Sequence, residues 1–159
     1  MAAAALSLAS IGLAQTDAIT KEDKEFLKNA SEMGATEVAL GQLAAEKGTA
    51  ADVKALGARL VADHTASNAE IAALAKAKKV ELAMIPAATQ RNMLHRFEGK
   101  SGTEFDKEFR EHVAKDHEKA IKMFTDAAAD AKDADVKAFA LKNLDVLKAH
   151  FELASAHKH

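Results

Sequence analysis

The sequence has no cysteine, no tryptophan and no tyrosine, and it contains a single proline. Without cysteine the chain cannot form disulfides or thiolate metal sites, and it cannot use a cysteine nucleophile. Aromatic residues make up 4% of the 159 residues and are all phenylalanine, so the core must depend on aliphatic side chains and alanine. Scarce proline, together with abundant Ala, Lys, Glu, Leu and Asp, is typical of an all-α protein.

Neither the charge nor the hydropathy pattern indicates a nucleic acid or a membrane as partner. The 22 basic and 24 acidic residues leave a net charge of −2, and the two signs alternate without forming a basic stripe. No stretch approaches the roughly 20 apolar residues that cross a bilayer. We therefore expect one folded domain with no nucleic-acid partner and no transmembrane segment. A protein partner, such as a second copy in a homodimer, is left open.

The N-terminal stretch of residues 1–14, MAAAALSLASIGLA, is uncharged and rich in small apolar side chains. Such a stretch is typical of the hydrophobic region of a secretory signal peptide, with cleavage expected before Gln15. No charged region precedes it, and the alternative is a frayed N-terminal helix. The pattern predicts an exported, periplasmic protein with a folded domain over residues 20–156 and a polar tail, HKH, at 157–159.

Apolar residues at helical spacing predict four long helices, of which the first two form a hairpin. Thr20 with Asp23 predicts a capping box at the start of the first helix, which should end at Gly48. Thr49 repeats the start signal, and the second helix should continue to about Lys78.

A second hairpin is predicted in the C-terminal half. Ser101 should open the third helix, and Asp133 should be the N-cap of the fourth. The intervening residues 79–102 hold the only proline and should include a short helix from Ala87 to Phe97. The expected fold is an all-α antiparallel four-helix bundle, built from two helical hairpins and a long crossover.

One polar residue lies deep inside each of the four apolar stripes: Glu37, His64, His117 and His150. Residues of antiparallel helices are level when they lie equally far from the connecting turn. The midpoint of the first two falls beside Gly48, and that of the other two falls beside Asp133. At a rise of about 1.5 Å per residue, the pairs lie roughly 20 and 25 Å from their turns. If the turns are at opposite ends, both pairs lie near the middle of the bundle.

Three imidazoles and one carboxylate are suitable ligands for a transition metal such as Zn, Fe, Mn, Cu or Ni. Asp63 and Asp116 each precede a central histidine and point about 100° around the helix. They are predicted to accept hydrogen bonds from ligands or to form salt bridges, rather than to bind metal. A cluster that only makes internal hydrogen bonds is the alternative. The other histidines are expected at the bundle edge or on its surface: His95, His112, His157 and His159.

Four blocks in order resemble a known family: FLKNASEMGATEVALGQLAAEK, ADVKALGARLVADHTASNAEIAALA, SGTEFDKEFREHVAKDHEKAIKMF and LKAHFELA. Over about residues 20–156 the chain resembles the bacterial exported family called domain-of-unknown-function family forty-one forty-two. Its members are often labelled outer membrane proteins. The resemblance implies a ferritin-like bundle with a long crossover. It places the family's recurrent residues on Glu37, Asp63-His64, Asp116-His117 and His150.

A ferritin-like fold does not imply ferritin chemistry in this chain. Di-iron carboxylate proteins take Glu from two helices and a Glu-x-x-His motif from the other two. Here Val61, Ala114 and Leu147 stand three residues before the central histidines, so the di-iron signature is missing. The sequence favours a protein that binds or senses a metal over an enzyme. The alternatives are a structural or stress-protective bundle without metal, and a metal-dependent enzyme.

Overall fold

The computed structural model describes residues 19–83, 92 and 94–156, and this part of the chain contains four long α-helices. Their bounds are Lys21–Lys47 for α1, Ala51–Ala77 for α2, Gly102–Asp130 for α3 and Ala134–Ser155 for α4. The described residues include no strand. Helix α1 packs along α2, and α3 packs along α4, so two helical hairpins form the bundle. The predicted all-α four-helix architecture is confirmed.

Helix α1 begins with two reciprocal hydrogen bonds between Thr20 and Asp23. The Thr20 hydroxyl accepts a hydrogen bond from the Asp23 backbone N–H at 3.1 Å, and the Asp23 carboxylate accepts one from Thr20 at 3.4 Å. This is the capping box that the sequence predicted.

Two glycines lie where α1 and α2 pack against each other. A Cβ atom added to Gly41 would lie 2.5 Å from the carbonyl oxygen of Gly57. Glycine at these two positions therefore lets α1 and α2 approach each other closely.

The start of α2 differs from the prediction. The helix begins at Ala51, and its N-cap residue, Ala50, has no side chain that could cap it. Asp106 of α3 does this instead, because its carboxylate accepts hydrogen bonds from the Thr49 N–H, the Thr49 hydroxyl and the Ala50 N–H at 3.0, 2.6 and 2.9 Å. A cap supplied by a distant helix leaves no local sequence signal.

The two interhelical turns lie at opposite ends of the bundle. Asp106 ties the α1–α2 turn to the beginning of α3. At the other end, Asp23 accepts a hydrogen bond from the N–H of Asp133, 3.1 Å away in the α3–α4 turn. Lys78, at the end of α2, forms an ion pair of 2.7 Å with Asp133. The end of α2 and the beginning of α3 therefore lie at opposite ends of the bundle, as the predicted long crossover requires.

Several predicted segments lie outside the described residues. These are residues 1–14, the tail 157–159 and most of the short helix expected at 87–97. Within that short helix, Asn92, Leu94 and His95 are helical, and Phe97 is fully buried. None of the helices in the described part of the chain combines the length and apolar character that crossing a lipid bilayer would require.

The core consists of two apolar clusters with a polar layer between them. One cluster, near the α3–α4 turn, includes Phe26, Ile71, Phe124 and Leu147, and the other, near the α1–α2 turn, includes Leu60, Phe105, Val113 and Ala154. On α2, α3 and α4 a buried histidine lies between residues of the two clusters. The fold therefore places the predicted polar residues at mid-depth, where the depth calculation expected them.

Candidate metal centre

Each helix contributes one buried polar side chain to the central layer. The exposed fraction is 4% for Glu37, 9% for His64, 1% for His117 and 0% for His150. Burying polar groups in an apolar core is costly unless they find partners. Their contacts therefore determine what the layer can do.

The three histidines converge on a common point. The distance from His64 Nε2 to His117 Nε2 is 3.4 Å, and that from His117 Nε2 to His150 Nδ1 is 3.1 Å. One nitrogen from each ring lies within 4.8 Å of the other two, an arrangement that could hold a metal ion. His64 comes from the first hairpin and the other two come from the second, so only the folded bundle assembles the group.

The other ring nitrogens of two histidines are already occupied. His117 Nδ1 lies 2.9 Å from the carbonyl oxygen of Val113, one turn earlier on α3. His150 Nε2 lies 2.9 Å from a carboxylate oxygen of Asp63 on α2. Carbonyl and carboxylate oxygens only accept hydrogen bonds, so these two nitrogens carry the protons. In the neutral rings, His117 Nε2 and His150 Nδ1 therefore hold lone pairs, and the two lone pairs face each other.

The electrostatics favour neutral imidazoles. Burial, followed by the effects of His117 and His150, lowers the pKa of His64 to about 3. Burial, followed by the effect of His150, lowers the pKa of His117 to about 4. Burial also lowers the pKa of His150, although the hydrogen bond that this ring donates to Asp63 acts in the opposite direction. These shifts favour the neutral form of all three imidazoles at neutral pH, which is the form that binds metal.

Sequence comparison assigns the chain to a family. Residues 8–156 match the family described as "Domain of unknown function (DUF4142)". The chain belongs to the DUF4142 family. This confirms the resemblance seen in the sequence blocks, although the family description specifies no activity. Comparison with curated proteins and with solved structures gave no match.

The two aspartates of the DUF4142 chain have different contacts. Asp63 accepts the expected hydrogen bond, but the donor is His150 on the other hairpin and not the adjacent His64. It also pairs with Arg59 at 3.3 Å. Asp116 contacts two residues of its own helix, His112 and Lys119, each at 3.2 Å. Only Asp63 therefore holds one of the three converging rings.

The structure places Glu37 beside the histidine group and not within it. Its Oε1 lies 3.9 Å from His117 Nδ1, which is the ring nitrogen that does not join the group. Its Oε2 is buried without a hydrogen-bond partner. Burial, followed by the charge of Asp116, raises the pKa of the Glu37 carboxyl to about 8. The carboxyl is therefore protonated at neutral pH, unlike an ordinary carboxylate ligand.

The sequence did not predict two of the contacts around this site. The Val113 carbonyl that orients His117 is a backbone group, and only the i−4 spacing on a helix could have suggested it. Arg96, in the crossover, lies 2.8 Å from His112 Nδ1 through its Nη1 and also pairs with Glu108. His112 is 12% exposed at the edge of the bundle and His95 is 73% exposed, as expected for both.

Proposed function

We propose that this DUF4142 protein is an exported helical-bundle protein that binds one transition-metal ion at its centre. The ligands are His64 Nε2, His117 Nε2 and His150 Nδ1. The proposed role is metal binding or sensing rather than catalytic turnover. Export rests on the signal-like residues 1–14 of the sequence.

The observation that carries the proposal is the distance of 3.1 Å between His117 Nε2 and His150 Nδ1, two nitrogens whose rings each contact an acceptor through the opposite nitrogen. Two acceptors at this distance repel each other, and a cation between them turns the repulsion into attraction. With metal–nitrogen bonds of about 2.0–2.1 Å, neighbouring nitrogens of a tetrahedral site lie roughly 3.3 Å apart. The distances of 3.4 Å between His64 and His117 and of 3.1 Å between His117 and His150 match this spacing, and the third pair of nitrogens lies within 4.8 Å.

The surroundings of the histidines also support metal binding. A histidine that binds a metal through one ring nitrogen usually donates the N–H of its other ring nitrogen to a carboxylate or a backbone carbonyl, which fixes the tautomer. Asp63 and the Val113 carbonyl provide both kinds of acceptor. Imidazole ligands suit Zn, Cu, Fe and Ni better than Mn, and the affinity of such sites is highest for Cu²⁺. We therefore favour Cu²⁺ or Zn²⁺ as the bound ion.

The proposal can be tested by metal analysis of protein purified without an affinity tag, combined with EPR of the Cu²⁺-loaded form. We expect one tightly bound ion per chain and hyperfine coupling to imidazole nitrogens. The substitution His117→Gln should abolish tight binding, whereas the matched change at the exposed His95, His95→Gln, should leave it intact. If no ion binds tightly to the native protein, the cluster is a hydrogen-bonded structural element and the proposal is wrong.

A further inference from the structure

A small cavity lies beside the histidine group, inside the bundle. Its volume is about 20 Å³, and its lining includes Glu37, His64, Ser67, His117 and Ala120. A cavity needs roughly 10–15 Å³ of such space to hold one water molecule, together with polar groups to bind it. The cavity therefore accommodates one water, and little more.

The lining of this cavity contains an unsatisfied polar atom. Glu37 is 4% exposed, and its Oε2 has no hydrogen-bond partner. Buried side-chain oxygens nearly always have a partner in native proteins, either a protein group or an ordered water. A small ligand in the cavity would give Glu37 Oε2 that partner.

Three imidazoles leave a four-coordinate metal with one open position. Two of the three proposed ligands line the cavity, and no other side chain of the described residues joins the group. Building on the proposed function, we propose that this cavity holds the exchangeable fourth ligand of the metal. That ligand is a water, a hydroxide or a one-atom anion of similar size. We expect larger anions to bind poorly, because the space is scarcely larger than one water.

EPR of the Cu²⁺-loaded protein tests this inference. In water enriched in ¹⁷O, a directly bound water broadens the copper lines, so we expect broadening relative to ordinary water. Fluoride should replace that water and add a ¹⁹F splitting. Azide, with three atoms in line, should produce no azide-to-copper charge-transfer band at the same concentration. A charge-transfer band with azide would overturn the size limit.

Replacing either of two buried alanines of α3 by valine distinguishes the cavity from the rest of the core. Ala120, which is 2% exposed, lines the cavity, whereas Ala128, at 8%, lies about two turns further along the helix and does not. Ala120→Val should fill the cavity, retain one Cu²⁺ per chain and lose both the ¹⁷O broadening and the fluoride splitting. Ala128→Val should retain both signals. If Ala120→Val does not fold, Ser67→Val fills the same cavity from α2.

The outcomes separate the inference from the function on which it rests. If Cu²⁺ does not bind to the native protein, the proposed function fails and the inference fails with it. If Cu²⁺ binds but its spectrum is insensitive to ¹⁷O water and to fluoride, the inference alone is wrong. Equal loss of the ¹⁷O broadening in the Ala120→Val and Ala128→Val proteins would likewise show that the cavity does not hold the ligand.

Discussion

His117 and His150 present different ring nitrogens to the centre of the bundle, Nε2 in one and Nδ1 in the other. The difference follows from what each ring contacts on its opposite side. His117 is held by a carbonyl of its own helix, whereas His150 is held by the carboxylate of Asp63 from α2. Because Asp63 fixes the tautomer without being a ligand, its substitution can weaken the site while leaving all three imidazoles in place.

We expect Asp63→Asn to lower the metal affinity by about 10–100-fold, as is typical when the acceptor behind a ligand histidine is altered. The amide retains an oxygen that can accept the His150 N–H, but it lacks the negative charge that makes the ligand more basic. Competition with a chelator of known affinity measures the change. Asp145→Asn, an equivalent change at an exposed position of α4, is the control and should have no effect. Equal metal affinities of the Asp63→Asn and Asp145→Asn proteins would mean that Asp63 does not contribute to metal binding.

Glu37→Gln should make the metal-free protein less sensitive to alkaline pH. The pKa of Glu37 is about 8 in the folded state, above the ordinary value of 4.5. The contribution of Glu37 to stability is therefore complete only below about pH 4.5, where the carboxyl is protonated in both the folded and the unfolded state. This contribution is lost as pH rises to 8. Between about pH 5.5 and 7, its loss should lower the free energy of unfolding by about 1.4 kcal/mol per pH unit, and the slope should be about half as steep at pH 8, the folded-state pKa.

Urea denaturation of the metal-free protein across this pH range measures the slope. The Gln variant should have a flatter profile than the native protein, because an amide does not ionise. The control, Glu46→Gln, removes an exposed carboxylate from the same helix and should leave the slope unchanged. Parallel profiles for the native and Glu37→Gln proteins would mean that Glu37 is already ionised in the folded state.

At the residue scale, the sequence predicted which side chains enter the central layer but not how they are oriented. Glu37 and the three histidines occupy the buried face of their helices, as helical periodicity requires. Periodicity determines the direction of Cβ and says nothing about the torsions beyond it. The position of Glu37 at the opposite nitrogen of His117, and the pairing of Asp63 with a histidine 87 residues away, both depend on those torsions.

At the scale of the helices, acidic side chains of one hairpin cap turns of the other. Asp106 of α3 caps the start of α2, and Asp23 of α1 accepts hydrogen bonds from the N–H groups of Lys132 and Asp133. The sequence predicted the helix starts at Thr20, Ser101 and Asp133 correctly, although the Ser101 side chain makes no capping hydrogen bond, and it misassigned the start of α2. Contacts between distant helices do not appear in a local sequence window.

Asp106→Ala should destabilise the protein by about 1–3 kcal/mol, because it leaves the Thr49 and Ala50 donors without their acceptor. Asp106 is 6% exposed, so water cannot fully replace it. Thermal or urea unfolding measures the loss. As a control, Asp126→Ala breaks an exposed ion pair with Lys122 on the same helix and should cost at most about 0.5 kcal/mol. Similar losses in the two variants would argue against the cap.

Phe109→Ala should destabilise the fold by about 3–5 kcal/mol, the usual cost of removing a fully buried ring. Phe109 is 0% exposed and stacks on Phe105 with ring centroids 6.0 Å apart. The control is Leu141→Ala at a position that is 55% exposed, which should change stability by less than about 0.5 kcal/mol. A loss below about 1 kcal/mol for Phe109→Ala would mean that α3 is rotated away from this core.

At the scale of the whole molecule, polar contacts join the two hairpins at both ends of the bundle and in its middle. Asp106 links them at one end, and the ion pair of Lys78 with Asp133 links them at the other. In the middle, His64 of the first hairpin meets His117 and His150 of the second. A metal at this point would bind both hairpins at once, and it would lose its ligands when they separate. Metal binding should therefore be coupled to the stability of the entire bundle.

A saturating metal should accordingly raise the melting temperature, because it binds the folded state and not the separated helices. A hundredfold excess over the dissociation constant adds about 2.7 kcal/mol. Histidines with ordinary pKa values would begin to lose metal below about pH 6.5. Since the pKa of His117 is lowered to about 4 and that of His64 to about 3, protons should compete effectively only near pH 4.

Calorimetry with and without Zn²⁺, from pH 7 down to pH 4, measures both the gain and the pH at which it fades. His64→Ala and His117→Ala should each abolish the gain, whereas removal of residues 157–159 should leave it intact. The tail is the matched control, because His157 and His159 are imidazoles outside the predicted central layer. The contrary outcome is a gain that fades near pH 6, the ordinary range of histidine titration, and that disappears when residues 157–159 are removed. Such a result would assign the stabilisation to the tail and leave the central histidines with a structural role.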